Sequence, residues 1–364
     1  MTRPLDTTRI SSVLVRATNW IGDAVMTTPA LGAIRKSFPL ARITVLATPL
    51  VAELLALHDS VDEVLVYDRK GAHAGVRGKL RLASLLRAKR FDLAILLQDA
   101  FDAALIAWLA GIPRRMGNRS DGRAMLLTHP IPYRKHAADS HQSENYLRML
   151  SHYGINGSGS DLLLRTSSAE DAELELTLSQ RGIVPGDFLL GINPGATFGS
   201  AKRWYPERFA EVARVLAAEW GARIVITGAP AETEMARRID EALGGECCNL
   251  AGKTSVRQLM SLTKRCNFFI TNDSGPMHIA AAFRIPLVAV FGSTDHRTTY
   301  PFSENSLIVR KEMDCAPCLK RECPTDHRCM KEVTVQDVIE AAKKARQTVV
   351  AVTGINNRPR DGIK

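Results

Sequence analysis

Four stretches of this chain combine carboxylates, a lysine, hydroxyls and glycines at spacings that suit transfer of a group from a phosphate ester. The first is Thr271-Asn272-Asp273-Ser274-Gly275-Pro276-Met277-His278, set between apolar Phe268-Phe269-Ile270 and the small-residue run Ile279 to Ala282. It reads as a buried strand, a polar turn and the first turn of a helix. Asp273 or Ser274 can cap, Pro276 suits an early helical position, and Gly275 allows a ligand to approach closely. Such a helix start gathers backbone N–H groups and a positive dipole end, which a phosphate ester or diphosphate needs. A well-capped buried helix without a ligand would carry the same residues.

The second stretch, Asn193-Pro194-Gly195-Ala196-Thr197-Phe198-Gly199-Ser200-Ala201-Lys202-Arg203-Trp204, offers two glycines, the hydroxyls of Thr197 and Ser200, and the flexible point charge of Lys202 for a phosphoryl oxygen. The third, Gly228-Ala229-Pro230-Ala231-Glu232-Thr233-Glu234, places carboxylates where a ribose diol could be held, by either glutamate. The fourth, Thr18-Asn19-Trp20-Ile21-Gly22-Asp23-Ala24-Val25, follows the first strand and sets Asp23 beside Gly22. A carboxylate there can take a proton from a hydroxyl; its bland use is to cap a helix beginning near Pro29.

These loops need a scaffold that brings strand ends together. Ser12 to Ala17, Arg42 to Ala47, Glu63 to Tyr67 and Leu93 to Leu97 read as strands, alternating with helices at Pro29 to Ser37, Leu50 to Leu57 and Lys79 to Lys89. The alternation restarts with strands at Phe188 to Ile192, Arg223 to Thr227, Phe268 to Thr271 and Pro286 to Phe291, and helices at Pro206 to Trp220, Thr233 to Leu243, Val256 to Thr263 and Pro276 to Phe283. The pattern predicts an α/β protein of two doubly wound, Rossmann-like domains, 1–180 and 181–346, whose carboxyl-end loops meet a shared cleft, followed by a last helix to Ala345 and a polar, mobile tail within 347–364. Neither half carries a GxGxxG or GxxxxGK[ST] loop, so dinucleotide oxidoreductases and P-loop enzymes lose their main signal.

The chain has 364 residues, 45% hydrophobic and 24% charged, as expected of a soluble globular protein with a core in each half. No apolar run reaches the length of a membrane span and Met1 to Ile10 lacks a signal-peptide core, so a cytoplasmic protein is expected. The net charge of +10 is uneven: eight basic residues and no acid lie between Arg69 and Arg90, and a second basic stretch holds Arg114, Arg115, Arg119, Arg123, Arg134 and Lys135. Such fields attract an anionic surface or a phosphorylated substrate. Nucleic acid is disfavoured, because few aromatics interleave these runs. Cys247, Cys248 and Cys266 read as core thiols. Cys315, Cys318, Cys323 and Cys329 could wrap a zinc ion, with His327 competing, but the single CxxC knuckle favours reduced structural or redox-labile thiols.

Taken together, NWIGDAVMTTPAL, NPGATFGSAKRW, TNDSGPMHIAAA, VAVFGSTD and CAPCLKRECPTDHRCM resemble, in order and spacing, the lipopolysaccharide heptosyltransferases of glycosyltransferase family 9, from roughly Val13 to Lys344. The cysteine-bearing segment is most similar to the type II subgroup. The resemblance implies a GT-B fold with the acceptor on the first domain and ADP-heptose on the second. It also implies inverting, metal-independent, cofactor-free transfer of heptose to the heptosyl-Kdo-lipid A core. The basic face, in turn, suggests peripheral attachment to the inner face of the inner membrane through Lys79 to Arg90, where Leu82, Leu85 and Leu86 would turn toward the protein or the lipid. Carried residue by residue, Asp23 matches the general base and Lys202 the lysine that steadies the diphosphate. The donor set is then Gly195, Thr197, Ser200, Glu232, Asp273, Ser274, Gly275, Met277 and His278. Gly22, Arg69, Lys70, Arg119 and Arg123 would meet the acceptor. Asp273 is the awkward member, since a free carboxylate repels a diphosphate; capping or orienting a hydroxyl suits it better. A type I transferase, another nucleotide-sugar enzyme of the family, or a catalytically silent homologue stay open as alternatives.

Overall fold

Central strands that are mostly apolar and buried on both faces, flanked by more exposed edge strands, build two parallel sheets. The first contains β1 (Ser12–Arg16), β2 (Arg42–Ala47), β3 (Glu63–Val66), β4 (Leu93–Leu96), β5 (Arg114–Asn118) and β6 (His129–Ile131), in the order β3-β2-β1-β4-β5-β6. The second contains β7 (Leu189–Asn193), β8 (Arg223–Ile226), β9 (Cys248–Asn249), β10 (Phe268–Asn272), β11 (Leu287–Val290) and β12 (Ser306–Val309), in the order β12-β11-β10-β7-β8-β9. Renumbered within its own half, the second sheet repeats the order of the first. Each is the doubly wound arrangement the alternation predicts, and each reverses direction between its first and fourth strands, where ligands of open α/β sheets bind beyond the carboxyl ends.

This computed structural model describes residues 5, 9–132, 140–157 and 159–353. Arg134, Lys135 and the polar stretch 354–364 lie outside the described residues. The chain divides into one unit ending at Arg165 and another beginning at Thr166, ahead of the boundary expected at 180. The helix Ser168–Ser179 accounts for the difference. A capping box between Ser167 and Glu170 starts it, and three ion pairs dock it onto the helix Val256–Arg265: Glu170 with Arg257 at 2.6 Å, Asp171 with Lys264 at 2.7 Å and Glu175 with Arg265 at 2.8 Å. The Arg257 guanidinium holds the Glu170 carboxyl down to about 2. The last helix runs Val335–Thr353, beyond Ala345, so 347–353 is helical and not tail.

Two register pairings fix where the chemically notable turns begin. Arg16 closes β1 opposite Leu46 and Leu96, and Thr271 of β10 lies opposite Asn193 of β7. The chain leaves these positions into the turns that carry Asp23, Asp273 and Lys202.

Candidate active site

In the first unit the chain leaves β1 at Arg16, forms a short helix, Ile21–Met26, that its residues do not announce, and then enters the helix Thr28–Ser37, which starts where the residues around Pro29 suggest. Trp20 is the N-cap of the short helix, and Asp23 stands in its first turn, half-buried and not a cap. The turn between β1 and this helix is held from below. The Arg16 guanidinium, buried and pushed down to about 10 by that burial, donates to Asn19 Oδ1 at 2.8 Å and to the Leu46 carbonyl at 3.2 Å, and lies 5.2 Å from the centre of the Tyr67 ring. Tyr67 in turn donates to Asp102 at 2.8 Å. Tyr146, on the helix Gln142–Ser151, is buried near Asp23; burial, then the Asp23 carboxylate, pushes its phenol up. Asp23 therefore stands near the buried Tyr146 side chain, in the turn that follows β1, where the strand order of the first sheet reverses.

The basic residues expected to meet an acceptor separate into two kinds. Arg69, Lys70 and Arg119 are exposed, the first two on a tight turn whose Asp68 carboxylate accepts the Gly71 and Ala72 N–H groups at 2.9 and 3.1 Å. Gly22 is half-buried beside Asp23. Arg123 is different. It is fully buried, and its guanidinium donates to the carbonyls of Asn118 (2.8 Å) and Gln98 and to Asp99 Oδ1 (2.7 Å). With its donors turned into the protein it pins the strand ends of β4 and β5, and it is a structural residue where an acceptor ligand was expected.

In the second unit the loop after β7 and the turn after β10 meet. Lys202 Nζ lies 2.6 Å from Asp273 Oδ2, and the Thr294 hydroxyl donates to the same oxygen. Asp273 is 3% exposed and Lys202 13%. Lys202 Nζ also sits 5.0 Å from the centre of the Phe198 ring. Asp273 thus neither caps nor stands free; it is the counter-ion of the lysine. Ser274 is the N-cap of the helix Gly275–Ala282, but its hydroxyl is turned sideways to Thr271 Oγ1 (3.1 Å) and Asn193 Oδ1 (3.3 Å). Asn272 ties the two loops, accepting the Trp204 N–H at 3.0 Å and donating to the Pro194 carbonyl at 2.7 Å.

The two loop glycines are needed for packing. A Cβ on Gly195 would lie 2.0 Å from the Glu232 carboxyl, and one on Gly199 would lie 2.1 Å from the Arg321 carbonyl oxygen. The space expected to admit a ligand at these positions is filled by the protein itself. Of the two glutamates, Glu232 is buried and accepts the Ala229 N–H at 2.8 Å, whereas Glu234 is exposed and spent on Arg237. Thr197 and Ser200 are exposed. Met277 and His278 are buried, so of the helix-start residues Ser274, Gly275 and Pro276 are the part-exposed ones.

The cysteines are all free thiols. Cys248 and Cys266 are buried as expected, and burial pushes the Cys266 thiol up to about 12; Cys247 is half-buried and donates to Asp240 at 2.9 Å. Among the described residues no group of three or more His, Cys, Asp or Glu side chains converges to hold a metal, so Cys315, Cys318, Cys323 and Cys329 are not drawn into a zinc cage. The segment that carries them instead packs on the Lys202 loop. Ala201 N–H donates to the Arg321 carbonyl at 2.9 Å, His327 Nε2 lies 3.2 Å from the Ala201 carbonyl, and Leu319 N–H donates to the Ser293 carbonyl at 2.8 Å.

Residues 79–328 match the family model described as glycosyltransferase family 9 (heptosyltransferase). The lipopolysaccharide heptosyltransferase 2 of Escherichia coli K12 is 31% identical over 337 residues, covering 90% of this chain and 96% of that protein. The chain belongs to glycosyltransferase family 9. The lipooligosaccharide heptosyltransferase 2 of Campylobacter jejuni is likewise 31% identical, over 91% of this chain and 98% of its own length. Among solved structures, this family 9 enzyme resembles the E. coli ADP-heptose lps heptosyltransferase II (TM-score 0.79, 28% identity, 93% of this chain and 99% of that one). It also resembles a family 9 glycosyl transferase of Veillonella parvula (TM-score 0.85, 25% identity, 96% and 100%). Its two sheets are those of the GT-B class, as the motifs imply. Several residues that shape the site of this glycosyltransferase carry no signal in its sequence. Thr294 sits inside the VAVFGSTD run, but a lone threonine gives no sign that it will reach a carboxylate in a different loop. Arg16 reads only as part of a strand, and Tyr146 lies in a stretch with no predicted element.

Proposed function

We propose that this glycosyltransferase moves heptose from ADP-heptose to the heptosyl-Kdo-lipid A inner core of lipopolysaccharide, with inversion and without a metal, working in the cytoplasm against the inner face of the inner membrane. In this reading the first unit takes the acceptor. Asp23 removes the proton from the attacking hydroxyl, Gly22 leaves space beside it, and Arg69, Lys70 and Arg119 meet acceptor phosphates and carboxylates. The second unit takes the donor. Lys202 and the helix start at Ser274 to Met277 receive the charge that gathers on departing ADP, with Gly195 and His278 shaping the pocket from behind. Thr197 and Ser200 offer hydroxyls to the phosphates, and Glu232 is the glutamate that takes the ribose diol. Inversion needs one in-line displacement, so base and leaving-group stabilisers act in a single step.

The observation that supports this most is the buried Lys202–Asp273 pair at the switch point of the second sheet. It is a cation fixed in place at the edge where a diphosphate would bind, in a family whose relatives are named for heptose transfer. Membrane contact is proposed through the helix Gly75–Ala88, where exposed Val76 and Leu80 stand beside exposed Arg77 and Arg81 while Leu82 and Leu86 are buried.

The test is to incubate purified protein with ADP-heptose, or with UDP-sugars, and truncated core acceptors, following nucleotide release and the anomeric configuration of the product. Release of ADP only with a heptosylated acceptor, giving inverted product, is expected. Release from UDP-sugars instead would replace the donor assignment.

A further inference from the structure

The charge balance around Lys202 leaves the diphosphate short of cations. Lys202 is paired with a buried carboxylate, so the pair is neutral overall, whereas a departing nucleoside diphosphate carries at least two negative charges. The next residue does not help: Arg203 turns back, its Nε and Nη2 donating to the Ala196 carbonyl at 3.3 and 3.2 Å.

A further cation comes from far along the sequence. The Arg321 guanidinium carbon lies 5.5 Å from the centre of the Phe198 ring, the same ring that Lys202 Nζ approaches to 5.0 Å. One aromatic therefore carries both cations. The backbone under Arg321 is fixed, since its carbonyl accepts the Ala201 N–H at 2.9 Å and fills the space that a side chain on Gly199 would need. The Arg321 side chain itself is exposed, and among the described residues no carboxylate lies within ion-pair distance of it. A guanidinium on an ordered backbone, stacked on an aromatic platform and lacking a counter-ion, is arranged to receive an anion, and its planar fork suits phosphoryl oxygens.

We propose that Arg321 is a second diphosphate-binding residue of the donor site, presented on Phe198 beside Lys202, and that the cysteine-bearing segment is the element that delivers it. This rests on the reading of the second unit as the donor domain. It gives the segment between Cys315 and Cys329 a task that none of its thiols need perform.

Calorimetric titration of the full-length protein with ADP and, separately, with adenosine tests it. Arg321→Gln should weaken ADP on the order of tenfold, the loss of one charge-assisted contact, and leave adenosine unchanged. Arg321→Lys should recover part of that loss, and Phe198→Leu, which keeps both charges, should weaken ADP as well. If Lys202→Met weakens ADP but Arg321→Gln does not, the proposal is overturned and the donor assignment stands. If neither substitution changes ADP affinity, the donor assignment itself fails. Equal losses for ADP and adenosine would make Arg321 a structural residue and also overturn the proposal. Should Arg321→Gln prove unstable, Arg321→Lys decides by the same comparison of ADP with adenosine.

Discussion

Lys202 Nζ and Asp273 Oδ2 are 2.6 Å apart in a setting almost closed to water, and the Thr294 hydroxyl donates to the same carboxylate oxygen. The two loops that carry them come from different strands of one sheet, so the ion pair fixes the lysine relative to the helix start at Ser274. A carboxylate that would repel a diphosphate if it stood free becomes a clamp for the cation that attracts one. Removing one partner strands the other: Lys202→Met should destabilise the second unit by roughly 3 kcal/mol, the scale for an uncompensated buried charge. The paired change Lys202→Met with Asp273→Asn should recover much of that stability and none of the turnover. Thermal unfolding and ADP release read the two effects separately. A double variant no more stable than Lys202→Met would show that the pair is not coupled.

Asp23 stands in the first turn of its helix without capping it, with Tyr146 buried close by. If it is the base, Asp23→Asn should keep the shape and lower kcat on the order of 10²-fold or more, while ADP affinity stays at the wild-type value. Tyr146→Phe should be milder, since it keeps the ring that shields the site. Turnover of Asp23→Asn within a few-fold of wild type would remove Asp23 from the role.

Gly195 and Glu232 form a lock and its keyhole, because any Cβ at 195 falls on the Glu232 carboxyl. Gly195→Ala must therefore displace Glu232, and it should reproduce the donor-binding defect of Glu232→Gln. Combining them should add little, as expected for two changes that abolish one arrangement. Strictly additive losses in ADP affinity would mean that Gly195 and Glu232 act on the ligand separately.

The architecture is legible because the central strands are apolar on both faces and their alternation with helices has one parallel-sheet solution. β1, β2, β3, β4, β7, β8, β10 and β11 all coincide with predicted strands within a residue or two. The edge strands β6, β9 and β12, and β5 beside them, do not, since a sequence such as Arg114-Arg115-Met116-Gly117-Asn118 reads as a basic loop until a neighbouring strand supplies its hydrogen bonds. Loop positions can be read from the sequence, but the partners inside them cannot. Nothing in a one-dimensional pattern says that Glu232 fills the space at Gly195, that Arg321 reaches Phe198, or that Arg123 turns inward where Arg119 turns outward. Those pairings are long-range, and charge alone does not distinguish a surface arginine from a buried one.

The helix Gly75–Ala88 separates its leucines by face, Leu82 and Leu86 into the core and Leu80, with Val76 one turn before it, out to solvent beside Arg77 and Arg81. Val76→Asp with Leu80→Asp should lower sedimentation with vesicles rich in phosphatidylglycerol, leave the unfolding temperature unchanged, and spare turnover on a detergent-soluble acceptor. Binding to such vesicles that neither salt nor these substitutions reduce would exclude this face.

His58 makes the first unit sensitive to mild acid. The side chain is buried, its Nδ1 accepts the Ser60 N–H at 3.2 Å, and burial pushes the imidazole down to about 4. Accepting at Nδ1 requires the neutral ring. Above pH 6.5 neither the folded nor the unfolded chain protonates this group, so it adds no pH dependence there. As the pH falls from 6.5 towards 4 the unfolded chain takes up a proton that the folded one refuses. Folding then loses about 1.4 kcal/mol per pH unit, reaching roughly 3 kcal/mol near pH 4. His58→Gln keeps an acceptor for Ser60 and cannot titrate. Its urea midpoint should therefore fall less than that of the wild type between about pH 7 and about pH 5, with the two chains differing most at the acid end. Parallel midpoints across that range would show that His58 is protonated equally in both states.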